Sequence, residues 1–156
     1  MAAPVIPVPR RSASFDAVAG YSGTPLPQKL GVKPGAKLAL AGAPAGFLDA
    51  LGKLPVGVKA VSFGRAKGPF DVVLAFFDSE AAFKKQLPQL HAALQPNGGL
   101  WIAWPKRASG VPTDMTEDAV RKHGLPRGLV DNKVCAIDAT WSGLRLVVRL
   151  ENRPRG

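Results

Sequence analysis

The sequence predicts one three-layer α/β domain: a mostly parallel sheet of about six strands, with helices on both faces, ending in an antiparallel hairpin. Three observations carry that reading. Short apolar runs alternate with segments of helical periodicity along most of the chain. Phe70 to Phe77, FDVVLAFF, is almost wholly apolar, the pattern of a strand covered on both faces. Near the end, Asn132 to Asp138 and Leu144 to Leu150 are strand-like and separated only by Ala139 to Gly143, a joint short enough to force antiparallel pairing. A length of 156 residues suits one domain, and 46% hydrophobic against 21% charged residues can build its core.

The elements follow in order. Residues 1–19 read as a disordered Pro-rich tail and 153–156 as a second one, leaving 20–152 as the domain. Thr24 and Pro25 form an N-cap and first-turn proline for a short helix reaching Leu30. After the turn Lys33-Pro34-Gly35, Ala36 to Ala41 is a buried strand. A loop, Gly42 to Gly46, opens a helix whose apolar face is Phe47, Leu48, Leu51 and Leu54, stopped by Pro55. Val58 to Phe63 is the next strand. Residues 64–69, fully extended, reach about 20 Å, so either a bare return to a parallel neighbour or an antiparallel edge strand satisfies the link. Phe70 to Phe77 leads to a helix capped by Asp78 or Ser79, burying Phe83, Leu87, Leu90 and Leu94, with Pro88 inside it. Pro96 to Gly99 is a turn into Leu100 to Trp104. Asp114 and Glu117 have the spacing of a capping box for a helix ending at Gly124.

Composition excludes several classes of function. No apolar run approaches the roughly 18 residues of a membrane span, and the first residues lack the apolar core of a secretory signal. The single cysteine, Cys135, rules out an internal disulfide and suits a reducing cytoplasm. With only His91 and His123 as imidazoles, no zinc cluster and no Ser-His-Asp set can be assembled, and no metal or cofactor is expected. The net charge of +10 makes the surface basic. Its cations never run longer than two and lack interleaved aromatics, so nucleic-acid binding stands as the alternative to a ligand-binding or interaction protein.

Three phrases sharpen the fold. LGVKPGAKLALAG, PFDVVLAFF and LHAALQPNGGLWIAW, in that order between Leu30 and Trp104, resemble the first strand and glycine loop, the central strand and the "PGG" turn of S-adenosylmethionine-dependent methyltransferases. The resemblance implies a truncated, methyltransferase-like Rossmann-type sheet. It does not carry the cofactor chemistry. Gly42 and Gly46 match two loop glycines, but Pro44 stands at the middle one, Leu40 replaces the upstream acid, and Phe63-Gly64-Arg65 stands where a carboxylate would grip the ribose. A divergent transferase with a degenerate loop is therefore a further alternative. AGYSGTPLPQKLGVKPG, the WPK at Trp104 to Lys106, and VDNKVCAIDATWSGLRLVVR resemble a family of short bacterial proteins grouped as a domain of unknown function. That likeness implies a stand-alone cytoplasmic bacterial protein and transfers no functional residues.

Ligands of open α/β sheets bind at the carboxyl ends of the parallel strands. If the hairpin's first strand runs parallel to LWIAW, that edge gathers Asp78, Lys106, Asp138, Thr140, Trp141 and Ser142. A cation, carboxylates, hydroxyls and an indole would suit a small anionic or aromatic ligand, or a protein partner. The structural alternative is that Trp141 and Ser142 serve the hairpin turn. Asp131 to Lys133 falls at the other end of the strand, as a turn or ion-pair feature. Cys135, among Val134 and Ala136, reads as an inert buried thiol.

Overall fold

The computed structural model describes residues 25–64 and 68–148. Strands are β1 (Leu38–Ala41), β2 (Ala60–Ser62), β3 (Phe70–Phe76), β4 (Leu94–Pro105), β5 (Leu129–Ala136) and β6 (Trp141–Val148). Helices are α1 (Leu26–Lys29), α2 (Phe47–Leu51), α3 (Glu80–Ala92) and α4 (Glu117–Gly124). The expected tails and the segment Tyr21 to Thr24 lie outside the described residues.

The strands form one six-stranded sheet in the order β2-β1-β3-β4-β6-β5. Leu38 stands opposite Ala60 on one side and Val72 on the other, both in parallel register. Leu74 is opposite Trp101, again parallel. β6 alone runs against its neighbours, with Trp104 opposite Ser142 on β4 and Val134 opposite Leu144 on β5. β5 therefore runs in the direction of β4, and the hairpin tip falls at the carboxyl edge. The direction of β2 is settled as parallel, with α2 providing its crossover from β1.

Alternate residues of the central strands feed two cores. One face packs Leu100, Ile102 and Leu144 against Phe83, Leu87 and Leu90 of α3. The other packs Leu38, Leu74 and Trp101 against Leu30, Phe47 and Leu51. The apolar FDVVLAF and LWIAW runs lie in the middle of the sheet, where both faces are covered.

Several boundaries differ from expectation, each for a tertiary reason. β4 begins at Leu94. The segment Pro96 to Gly99 is a bulge within it, since Phe70 pairs with Leu94 and Val72 with Gly99. The hairpin joint is Ile137 to Thr140, because the Asp138 Oδ1 accepts the N–H groups of Thr140 and Trp141, each at 2.8 Å. Trp141, Ser142 and Gly143 are consequently strand residues. α4 is capped by Thr116, whose hydroxyl accepts from the N–H of Ala119 at 3.0 Å. Asp114 instead accepts the N–H of Glu80 at 2.7 Å, capping α3 together with Ser79. α2 stops at Gly52 after little more than one turn, and Leu48, read as part of its buried face, is 59% exposed.

Candidate functional site

The carboxyl edge does bring the WPK segment to the hairpin tip. The Lys106 N–H donates to the carbonyl of Thr140 at 2.8 Å, and Pro105 lies opposite Trp141. The candidate side chains nevertheless divide between the two faces. Trp141 belongs to the α1/α2 face, half-buried, its ring edge-on to Phe76 at 5.0 Å. Phe76 is in turn edge-on to Phe47 at 4.9 Å, so a row of three rings fills that side of the edge. Ser142 is paired with Trp104, which faces the other core. Asp138 is engaged in closing the turn. Asp78 is exposed at the end of β3, where its carbonyl accepts from the Thr113 hydroxyl at 2.7 Å. No hydrogen bond or ion pair joins the Lys106 ammonium to a described side chain, and no stacking pair forms between Lys106 and Trp141.

Two hollows stand beside this edge. The smaller, of about 680 Å³, lies between the end of β1, the glycine loop, the start of α2 and the end of β2. Gly42 has φ +67°, and a Cβ there would come within 3.1 Å of the Phe76 carbonyl, so the loop closes directly onto β3. The Phe63 N–H donates to the Leu40 carbonyl at 2.8 Å, and the Phe63 ring packs 6.0 Å from Phe70. Where a bound S-adenosylmethionine would need carboxylates, at Leu40 and Phe63, the hollow offers an aliphatic side chain and a phenyl ring. Among the described residues its one carboxylate, Asp49, stands on α2. These residues do not fit the cofactor in the family's usual manner.

The larger hollow, of about 1040 Å³, is a groove on the α1/α2 face. Its walls are Pro25 to Lys33, Ala50 to Val56, and Ala136 to Ala139. Leu26, Val32, Leu51, Leu54 and Ile137 make the lining largely apolar, and Lys29, Lys33 and Lys53 border it. The Lys29 ammonium spans one end, donating to the carbonyl of Ala136 at 3.0 Å. The groove has a simple origin. Helices of four and five residues are only about 6–8 Å long, whereas six strands span about 24 Å. Two such helices leave part of the face uncovered. Of the six candidate residues only Asp138 lines this groove. The rest of its lining is brought together from three distant segments; the sequence shows the shortness of α1 but not that of α2, whose apolar spacing extends to Leu54.

The remaining reactive groups have structural partners or apolar surroundings. Burial pushes the Cys135 thiol up, against the pull of Lys29 and Lys133. Burial, aided by Arg127, pushes His91 down, and its Nδ1 is buried without a hydrogen-bond partner. Asp131 binds Arg121 at 2.9 Å, an ion pair between β5 and α4, as its place at the far strand end suggested. Among the described residues no group of three metal-ligating side chains converges.

His123 donates from Nε2 to Glu80 at 2.8 Å and stands edge-on to Phe83, tying α4 to the start of α3. That hydrogen bond is the main reason the Glu80 carboxyl is held below its usual range; partial burial opposes it and the Lys122 charge assists. A carboxyl with a depressed folded pKa stabilises above its unfolded value and loses that contribution as pH falls through the folded one. Urea midpoints of Glu80→Gln and the parent should therefore differ at about pH 5.5 and converge towards about pH 3. Parallel profiles across that window would remove the pair from the stability balance.

Sheet order, two covered faces and the terminal antiparallel pair together define a methyltransferase-like Rossmann fold. The chain is similar to a SAM-dependent methyltransferase from Aquifex aeolicus, with TM-score 0.58 and 17% identity over 78% of this chain and 87% of that one. It is also similar to a ribosomal protein L11 methylase from Lactobacillus delbrueckii subsp. bulgaricus (TM-score 0.56, 15% identity, 80% of this chain and 75% of that one). A third likeness is to fibrillarin from Aeropyrum pernix with natively bound S-adenosyl-L-methionine (TM-score 0.52, 14% identity, 74% and 68%). At these identities the likeness is one of fold. No family model matches the chain, and no curated protein matches it.

Proposed function

We propose that this chain is a non-catalytic binding protein that uses a methyltransferase-like frame to hold a small ligand on its α1/α2 face. The observation that carries the reading is the open groove of about 1040 Å³ with its apolar lining, at the large end of the range of small-molecule sites. The hairpin tip, with Asp138, forms one wall, so the ligand lies against the carboxyl edge rather than within it. Lys106 and Thr140 are proposed as a neighbouring polar rim and Trp141 as its apolar neighbour, whereas Ser142, on the side of the other core, and Asp78, beside Thr113, stand apart from the groove. No helix among the described residues is long and apolar enough to cross a membrane, and the proposal places the protein in a reducing cytoplasm.

Nile red, a neutral dye whose emission shifts to the blue in apolar surroundings, tests the groove on the full chain. The parent should bind it. Ala50→Trp, which places an indole on an exposed wall position, should weaken binding at least about fivefold while changing unfolding free energy by less than about 0.5 kcal/mol. No blue shift, or a shift untouched by Ala50→Trp, overturns the assignment.

The likeness of fold favours a second reading, a divergent transferase using the smaller hollow beside the glycine loop. With Leu40, Pro44 and Phe63 in place of cofactor-binding groups, titration calorimetry should register no binding of S-adenosylmethionine. A dissociation constant in the low micromolar range, about −8 kcal/mol, would make the transferase the better reading.

A further inference from the structure

We infer that the ligand of the α1/α2 groove is an elongated apolar anion, a carboxylate carrying a long hydrocarbon tail. The inference rests on the groove's being a ligand site and adds the chemistry of what enters it.

The argument is one of complementarity. An apolar lining gains by covering hydrocarbon, at about 25 cal/mol per Å² removed from water. Among the described residues, the charges along the same walls are unequal: Lys29, Lys33 and Lys53 against the one acid Asp138. Asp138 already has one oxygen committed to the Thr140 and Trp141 N–H groups. Lys29 is half-buried and has one carbonyl partner, which leaves two of its three N–H donors for a further acceptor. Lys33 and Lys53 are exposed, and their ammonium groups make no hydrogen bond or ion pair with a described residue. A neutral hydrocarbon would make no ion pair with these ammonium groups, and a cation would meet three like charges beside a low-dielectric wall. An anion with an apolar tail satisfies the lysines and the lining together.

Competition against bound Nile red, on the full chain and below the micelle concentration of each amphiphile, separates the alternatives. Dodecanoate should displace the dye at about tenfold lower concentration than dodecanol or dodecyltrimethylammonium, the difference expected of two or three partly exposed charge pairs. In Lys33→Ala/Lys53→Ala, with every displacement scaled to the variant's own Nile red dissociation constant, that preference should shrink towards unity. Equal displacement by dodecanol and dodecanoate would overturn the anion and leave the groove as a neutral apolar site. A preference for the cationic amphiphile would also overturn it. A full preference retained in the double variant would show that these lysines do not select the headgroup. Failure of Nile red itself to bind would defeat the groove, and this inference with it.

Discussion

Trp101→Ala is expected to cost about 3–5 kcal/mol of folding stability. Trp101 is fully buried at the centre of β4 and is among the largest enclosed side chains. It packs with Leu38, Leu74 and Ile137, and its indole Nε1–H donates to the Leu30 carbonyl at 2.9 Å. Truncation leaves a cavity and an unpaired carbonyl just after α1. Trp101→Phe separates the two losses. It keeps most of the volume but leaves the carbonyl without its donor, at about 1–3 kcal/mol. Because the indole pins the exit of α1 to the sheet, the Phe variant should also loosen one wall of the groove and weaken Nile red binding. Urea unfolding with an unchanged slope checks the stability, and dye titration checks the wall. A Phe variant as stable as the parent would show that the hydrogen bond contributes nothing net.

Gly143→Ala is the second large effect, expected at about 1–3 kcal/mol. Gly143 is paired on both sides, opposite Ala103 and Cys135. A Cβ there would lie 2.7 Å from Ile137 Cδ1 and 3.2 Å from Trp101 Cε3. The end of Ile137 can swing aside, but Trp101 is enclosed on every side and cannot. Ile137 lines the groove. Its displacement would narrow the space as well as strain the core, and Gly143→Val should do more of both. Unfolding free energies and Nile red affinities of the two variants provide the comparison. A stable Ala variant with undiminished dye affinity would mean that the sheet relaxes at this point without consequence.

Gly143 lies where reading the chain alone is weak. Gly143 looks like a hairpin turn residue because a glycine follows Ala139 to Ser142 between two apolar runs. The turn was instead closed by Asp138, one carboxylate oxygen answering two N–H groups, which shifted the joint towards the chain start. Asp114 and Glu117 similarly have capping-box spacing. Asp114, however, reaches the N–H of Glu80 on another helix, and Glu117 pairs with Arg121. A polar side chain takes the partner that folding brings nearest, and that partner need not be its sequence neighbour.

By itself the sequence determined the layered α/β class, the two central strands, and the helix over Phe83, Leu87 and Leu90. These follow from local periodicity and from which runs are apolar enough for both faces of a sheet. The direction of β2 needed the tertiary structure, because residues 64–69 are long enough for either return. The division of the candidate site needed it too: adjacent strand residues such as Trp141 and Ser142 point to opposite faces, and the register decides which core each joins. The groove depended on it most. Its walls come from residues 25–33, 50–56 and 136–139, and what forms it is surface that two one-turn helices are too short to cover.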